Sequence, residues 1–318
     1  MRLLKRLVPS SIRSGMRHWE ARVRSKIRQC EPGQRFLNRR EAKKLASSSK
    51  RLDLCAAQFA HLLHISDHPP LTGKTCLEIG SGMVLSHAVV CHLLGAKQVI
   101  ATDVDQIAYP CCLTNAIREA IPSITRDILA SFEPHHDVRR RLDALLLIEN
   151  WTFRKLRELG IEYISPIDLA REQIGVPVDF IYSFSVLEHV PVVDIEPLLC
   201  NLASALSPGG TMIHCIHLED HKDIIEDPFA FLSEATYTSR DETERGNRLR
   251  RSQWHAIFSQ FKEMGFSFIY EWSREDKSLP GEISSSVLYQ DEGDLRISHL
   301  GVYTSRFQRL TLDTSINL

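Results

Sequence analysis

The stretch from Lys74 to Asp103 constrains this chain more than any other. Lys74-Thr-Cys-Leu-Glu78-Ile-Gly80-Ser81-Gly82 runs as a short apolar strand into a glycine turn. Leu85 to Leu94 then carries helical spacing and stops at Gly95, and Gln98-Val-Ile-Ala-Thr-Asp103 is apolar again. A strand, a helix and a strand at this spacing form a β-α-β unit, whose strands are parallel and belong to a larger sheet. Gly80 and Gly82 let the backbone turn sharply and approach a ligand. Asp103, 21 residues beyond Gly82, ends the second strand where it can accept ribose hydroxyls.

The alternation continues. A helical stretch (Leu52 to Ile65) precedes the unit. After it come a strand at Glu162-Tyr-Ile-Ser165, another at Val178-Asp-Phe-Ile-Tyr-Ser-Phe184, the segment Ser185-Val-Leu-Glu188-His189-Val-Pro191, and a helix from Ile195 to Leu206. The turn Ser207-Pro-Gly-Gly210 leads into the strand Thr211-Met-Ile-His-Cys-Ile216. The expected fold is α/β: a Rossmann-like, doubly wound, mostly parallel seven-stranded sheet, with helical insertions and a basic N-terminal helix.

Composition narrows the class. The 318 residues are 43% apolar and 25% charged, and no window holds the roughly 18 apolar residues of a spanning helix, so a soluble globular chain is expected. Eight cysteines without a Cys-x-x-Cys pair, mostly in apolar stretches, read as buried thiols in a reducing, cytoplasmic setting. The net charge of −1 conceals an asymmetry: residues 1–50 hold 15 basic and three acidic residues, the remaining 268 hold 24 and 37. Two units follow, a basic segment (1–50) and a main domain (51–318) with insertions near 119–160 and 219–250. The insertions follow strands at the carboxyl edge of the sheet, where walls or lids of a site would stand.

Met1 to Val8 is too short for a secretory core. Beyond it, Ile12, Met16, Trp19, Val23 and Ile27 share one helical face, with Arg13, Arg17, Arg24 and Arg28 outside it. Three uses fit this basic amphipathic helix: packing on its own domain, attachment of residues 1–28 to an anionic membrane surface such as the inner face of a membrane, or service as a presequence or nucleic-acid arm.

In combination and order, Glu78-Ile-Gly80-Ser-Gly82, Asp103, Ser185-Val-Leu-Glu188-His189 and Leu206-Ser-Pro-Gly-Gly210 resemble class I S-adenosylmethionine-dependent methyltransferases of the small-molecule and glycan kind (methyltransferase type 11-like). Phe266-Ser-Phe-Ile-Tyr-Glu and His299-Leu-Gly-Val-Tyr-Thr resemble that fold's final antiparallel pair. The resemblance implies S-adenosyl-L-methionine as cofactor, its methionine part framed by Glu78, Gly80, Ser81 and Gly82. Asp103 would lie on the ribose, Asp168 by the adenine and Phe184 beside the sulfonium. Asp168 also suits a helix cap. Val84 departs from the pattern, standing where many members carry a third glycine.

A nicotinamide oxidoreductase of the same fold would need Gly or Ala where this chain has Leu85. A non-catalytic, membrane-tethered scaffold is the alternative from another class. Methyl transfer to a hydroxyl calls for a base, and His189, His217, Asp220 and His221 follow the fourth and fifth strands, where they could converge above the cofactor. Glu188, His189, His217 and His221 loosely resemble the carboxylate-histidine metal sites of small-RNA ribose and ubiquinone-pathway methyltransferases. Ser185 replaces one of their Glu residues, so no metal is expected. Arg248 and Arg250 could anchor an anionic acceptor. The 217–221 cluster with Asn247-Arg-Leu-Arg is similar to methyltransferases of bacterial surface-glycan clusters, implying O-methylation of a small molecule, sugar or lipid-linked glycan. RNA is the alternative acceptor, disfavoured because residues 51–318 are net acidic and lack a basic, aromatic-bearing strand surface.

Overall fold

The sheet runs β3-β2-β1-β4-β5-β7-β6 in a computed structural model that describes residues 31–46, 51–66, 70–119 and 122–305. Its strands are β1 (Thr75–Ile79), β2 (Gln98–Thr102), β3 (Ile161–Ile164), β4 (Val178–Phe184), β5 (Leu206–His217), β6 (Ser267–Ser273) and β7 (Ile297–Ser305). β1 to β5 pair in parallel, whereas β7 lies antiparallel to both β5 and β6. The order reverses between β1 and β4, so the crevice beyond their carboxyl ends is where an open α/β sheet takes a ligand. The amphipathic segment 12–27 lies outside the described residues.

Alternation along the strands divides the core in two. Cys76, Phe180, Tyr182 and Ile213 face one layer with Phe59 and Leu63, while Leu77, Ile181 and Met212 face the other with Leu198, Trp254 and Phe258. Because both faces are covered, these strands read as continuous apolar runs. The first layer contains α1 (Glu31–Ala46), α2 (Arg51–Ile65), α3 (Ser86–Leu93) and α4 (Leu113–Glu119).

The stretch near 119–160 differs from its expected role as a wall of the site. Its helices α5 (Pro122–Leu129), α6 (His135–Leu146) and α7 (Phe153–Glu158) thicken the first layer, burying Val138, Leu142, Leu145, Trp151 and Leu156 in that core. Within the Arg139-Arg-Arg run, Arg141 donates to the Leu93 carbonyl (2.9 Å) and Glu133 (3.0 Å) at the far end of α3, while Arg139 and Arg140 stay exposed. Apolar matching decided this stretch: three leucines and a tryptophan gain more by extending a core than by lining a solvated cleft.

The second layer holds α8 (Val192–Ala205) and α10 (Arg251–Ser259); α9 (Ser239–Arg245) and α11 (Glu292–Arg296) lie beside it. Residues 229–232 form a small core with Val287 and Leu295. Ser207-Pro-Gly-Gly210, read as a turn, belongs to β5, because Leu206 pairs with Val178 across an irregularity in the ladder. No described helix is long and apolar enough to cross a membrane.

Candidate active site

β1 delivers Glu78 to the crevice and the chain turns at Gly80, φ +65°. A Cβ there would meet Val186 Cγ2 at 2.6 Å, so both the conformation and the close approach of the β4 loop require glycine. Gly82 also has positive φ, and a Cβ on it would find nothing within 4 Å. Asp103 follows β2 and accepts from the Gly82 amide (3.1 Å) and the Asp105 amide (3.2 Å), with burial holding its carboxyl above the usual range. Ile167 donates to the Asp103 carbonyl at 3.0 Å, fixing that loop beside the segment after β3.

Two polar atoms here are buried without hydrogen-bond partners among the described residues. Glu78 Oε2 and Ser81 Oγ accept and donate nothing among the described residues. Burial pushes Glu78 up to about 8, with Tyr182 and Arg51 opposing. Native interiors pair such atoms, so a row of them at a glycine turn fits a polar ligand seated there. A ribose for Asp103, an ammonium for Glu78 and a close backbone approach at Gly82 are what these groups can recognise.

Phe184 ends β4 and stacks on His87 at 4.1 Å and 3°. His87 bonds Gln58 at 3.0 Å, and burial pushes it down to about 3, so it is a neutral, apolar-like wall. Ser185, next in the chain, has φ +54°, a strained conformation for a non-glycine residue where β4 turns over the crevice.

Across that turn the imidazoles gather. His189 lies 4.3 Å from His221 between ring centroids, His221 4.6 Å from His217, and His217 stacks on His299 at 4.2 Å. His217 Nε2 meets Glu219 at 2.6 Å, and Arg274 donates to the other oxygen of Glu219 at 2.8 Å. His189 Nδ1 meets the Thr243 carbonyl at 2.8 Å, which can only accept. Burial lowers His189 and takes His299 down to about 4.

The residue span 219–250 covers this group. Asn247 donates its amide to the Glu188 carbonyl (2.6 Å) and its side chain to Leu187 and Val190, clamping the β4 loop. The His221 amide bonds the Arg245 carbonyl at 3.2 Å.

Of the residues singled out in the sequence, Glu78, Gly80, Ser81, Gly82, Asp103 and Phe184 converge on the crevice, and His189, His217 and His221 meet beside it. Asp220 does not join them as a base: Arg245 grips both its oxygens (3.1 and 2.6 Å), and the Lys222 amide adds a third bond. Asp168 accepts from the Ala170 amide and is ion-paired with Arg171. Residues 169–171 form a turn and no helix starts at Leu169, so Asp168 is neither a helix cap nor held out for an adenine. Arg250 is fully buried and donates to the carbonyls of Leu218 and Ile297, and Arg248 donates to Phe231 and Glu234 while lying 3.9 Å over Tyr237, so neither is held out for an acceptor.

Sequence reasoning missed His87, Glu219 and His299. Glu219 sits between two chosen residues and could have been found by its period-two spacing from His217. His299 comes into place only through the antiparallel register that sets it opposite His217.

No family model and no curated protein matches the chain. Three solved structures similar to it are a Listeria monocytogenes protein described as an S-adenosylmethionine-dependent methyltransferase, one so described from Mesorhizobium loti, and the N-methyltransferase NodS of Bradyrhizobium japonicum with S-adenosyl-L-homocysteine. The first is 12% identical, covering 80% of this chain and 99% of its own (TM-score 0.43); the second 16%, 79% and 98% (0.41). NodS is 12% identical over 79% of this chain and 86% of its own (0.37). Over most of its length the chain is similar to solved proteins described as S-adenosylmethionine-dependent methyltransferases.

Proposed function

We propose that this protein is an S-adenosylmethionine-dependent methyltransferase that methylates a hydroxyl of a small molecule, sugar or lipid-linked glycan. The observation that carries the reading is the polar rim of the β1 turn: Glu78 Oε2 and Ser81 Oγ buried without hydrogen-bond partners among the described residues, beside Asp103 and the open Cα of Gly82. S-adenosylmethionine, when bound, supplies an electrophilic methyl group on a sulfonium. Asp103 holds hydroxyls, Glu78 faces an ammonium, and the Phe184–His87 stack excludes water from one side.

His217 acts as the base. Glu219 accepts a hydrogen bond from His217 Nε2–H at 2.6 Å and is itself anchored by Arg274, so Nδ1 is left to receive a proton from the acceptor hydroxyl. A carboxylate behind an imidazole fixes its tautomer and stabilises the imidazolium that forms, and a base so positioned contributes about a hundred to ten-thousandfold in rate.

The experiment compares small metabolites and glycans of cells with and without the protein, tracing a labelled methyl group. A labelled O-methyl species that requires the protein, and falls about a hundredfold in purified His217→Ala with cofactor affinity kept, is expected. Label on nitrogen or carbon, or full turnover in His217→Ala, would contradict the assignment.

A further inference from the structure

Glu188 is anomalous. It is 1% exposed, and neither carboxylate oxygen has a hydrogen-bond partner among the described residues. Buried carboxylates are normally hydrogen-bonded, paired or bound to a cation. Facing it is His221, whose Nε2 stands 3.5 Å from Glu188 Oε1 and is itself buried without a hydrogen bond among the described residues. His189 is the third member: with Nδ1–H committed to the Thr243 carbonyl, its Nε2 presents a lone pair. One donor atom from each of Glu188, His189 and His221 lies within 4.8 Å of the others.

We propose that Glu188, His189 and His221 bind a divalent transition-metal cation of the zinc kind. Two imidazole nitrogens and one carboxylate favour such an ion over magnesium or calcium, which take oxygen. One donor, His189, is held from behind by the Thr243 carbonyl, as metal ligands commonly are, and Asn247 fixes the main chain at Glu188. The neighbouring group of His217, Glu219 and His299 is different, because Arg274 and His217 already satisfy Glu219. Ser185, on which the expectation of no metal rested, is not needed: the segment after β5 supplies His221 instead.

Three protein ligands leave coordination open for an exogenous oxygen. The oxygen class this site takes is the acceptor hydroxyl; that clause rests on the proposed function, whereas metal binding does not.

The test uses the full-length protein, stripped with a chelator and titrated with zinc, then with cobalt(II) as a visible-absorbing substitute. One equivalent per chain and a cobalt d–d spectrum are expected, with Glu188→Gln and His221→Asn each binding at least about tenfold more weakly. Unchanged melting temperatures establish that both variants are folded. Should Glu188→Gln misfold, His221→Asn and the wild-type stoichiometry decide. Sub-stoichiometric uptake, or variants that bind like wild type, would overturn the metal site. Calorimetry with S-adenosylmethionine on the same preparation separates the two ideas: cofactor binding without stoichiometric metal overturns the site alone, and stoichiometric metal without cofactor binding supports the site while removing the methyltransferase reading.

Discussion

At the scale of single residues, Gly80 bears the tightest constraint at the crevice. Alanine there adds a Cβ 2.6 Å from Val186 Cγ2 at φ +65°, so strain and overpacking act together. Gly80→Ala is expected to destabilise the fold by about 2–4 kcal/mol in urea melts, and a loss below about 1 kcal/mol would mean the β4 loop moves aside freely. The residues of this turn were readable because they are contiguous: Glu78, Gly80, Ser81 and Gly82 follow one strand, and Asp103 ends the next. His299 was not, because its place opposite His217 is decided by strand register across more than 80 residues of chain. Asp220 was misjudged for a related reason. Its neighbours His217 and His221 join the cluster, but Arg245, 25 residues on, takes its carboxylate.

At the scale of elements, Arg245 joins the end of α9 to the loop after β5. It bridges Asp220 and Glu234, with Asp220 side chain only 3% exposed. Removing it leaves a buried carboxylate uncompensated, so Arg245→Ala is expected to cost about 3–5 kcal/mol. Chemical denaturation checks the figure, and a cost under about 1 kcal/mol would contradict the clamp. Strands were more legible than insertions. β4 has the bounds its apolar run implies, since a strand covered on both faces announces itself, whereas the 119–160 stretch was placed at the site by chain position and its apolar residues instead joined the helical layer. Ser207-Pro-Gly-Gly210 looks like a turn locally and becomes strand only because β4 lies beside it.

For the whole molecule, buried ionisable groups set the pH response. Burial holds His87 near 3 and His214 and His299 near 4, against 6.5 in the unfolded chain, so their contribution is present above 6.5 and lost as pH falls toward 4. Glu78, raised to about 8 from 4.5, acts oppositely, its contribution lost as pH rises through 8. Of these four groups, the three imidazoles outweigh the one carboxyl between pH 4.5 and 6.5, and Glu78 alone of the four acts above that. The melting temperature should therefore peak near pH 6.5, and Glu78→Gln should flatten the decline from 6.5 to 8. An undiminished alkaline decline in that variant would show that another group sets it.

The most direct measurement of the central claim is calorimetric titration of S-adenosylmethionine into the wild type and Asp103→Ala. Binding by the wild type and a Kd at least about tenfold weaker in the variant, with a cooperative unfolding transition kept, is the predicted result, since a buried carboxylate's hydrogen bonds to a ligand are worth about 1.5–3 kcal/mol. No binding by the wild type, or equal affinity in Asp103→Ala, would contradict a methyl-donor site at the β1 turn.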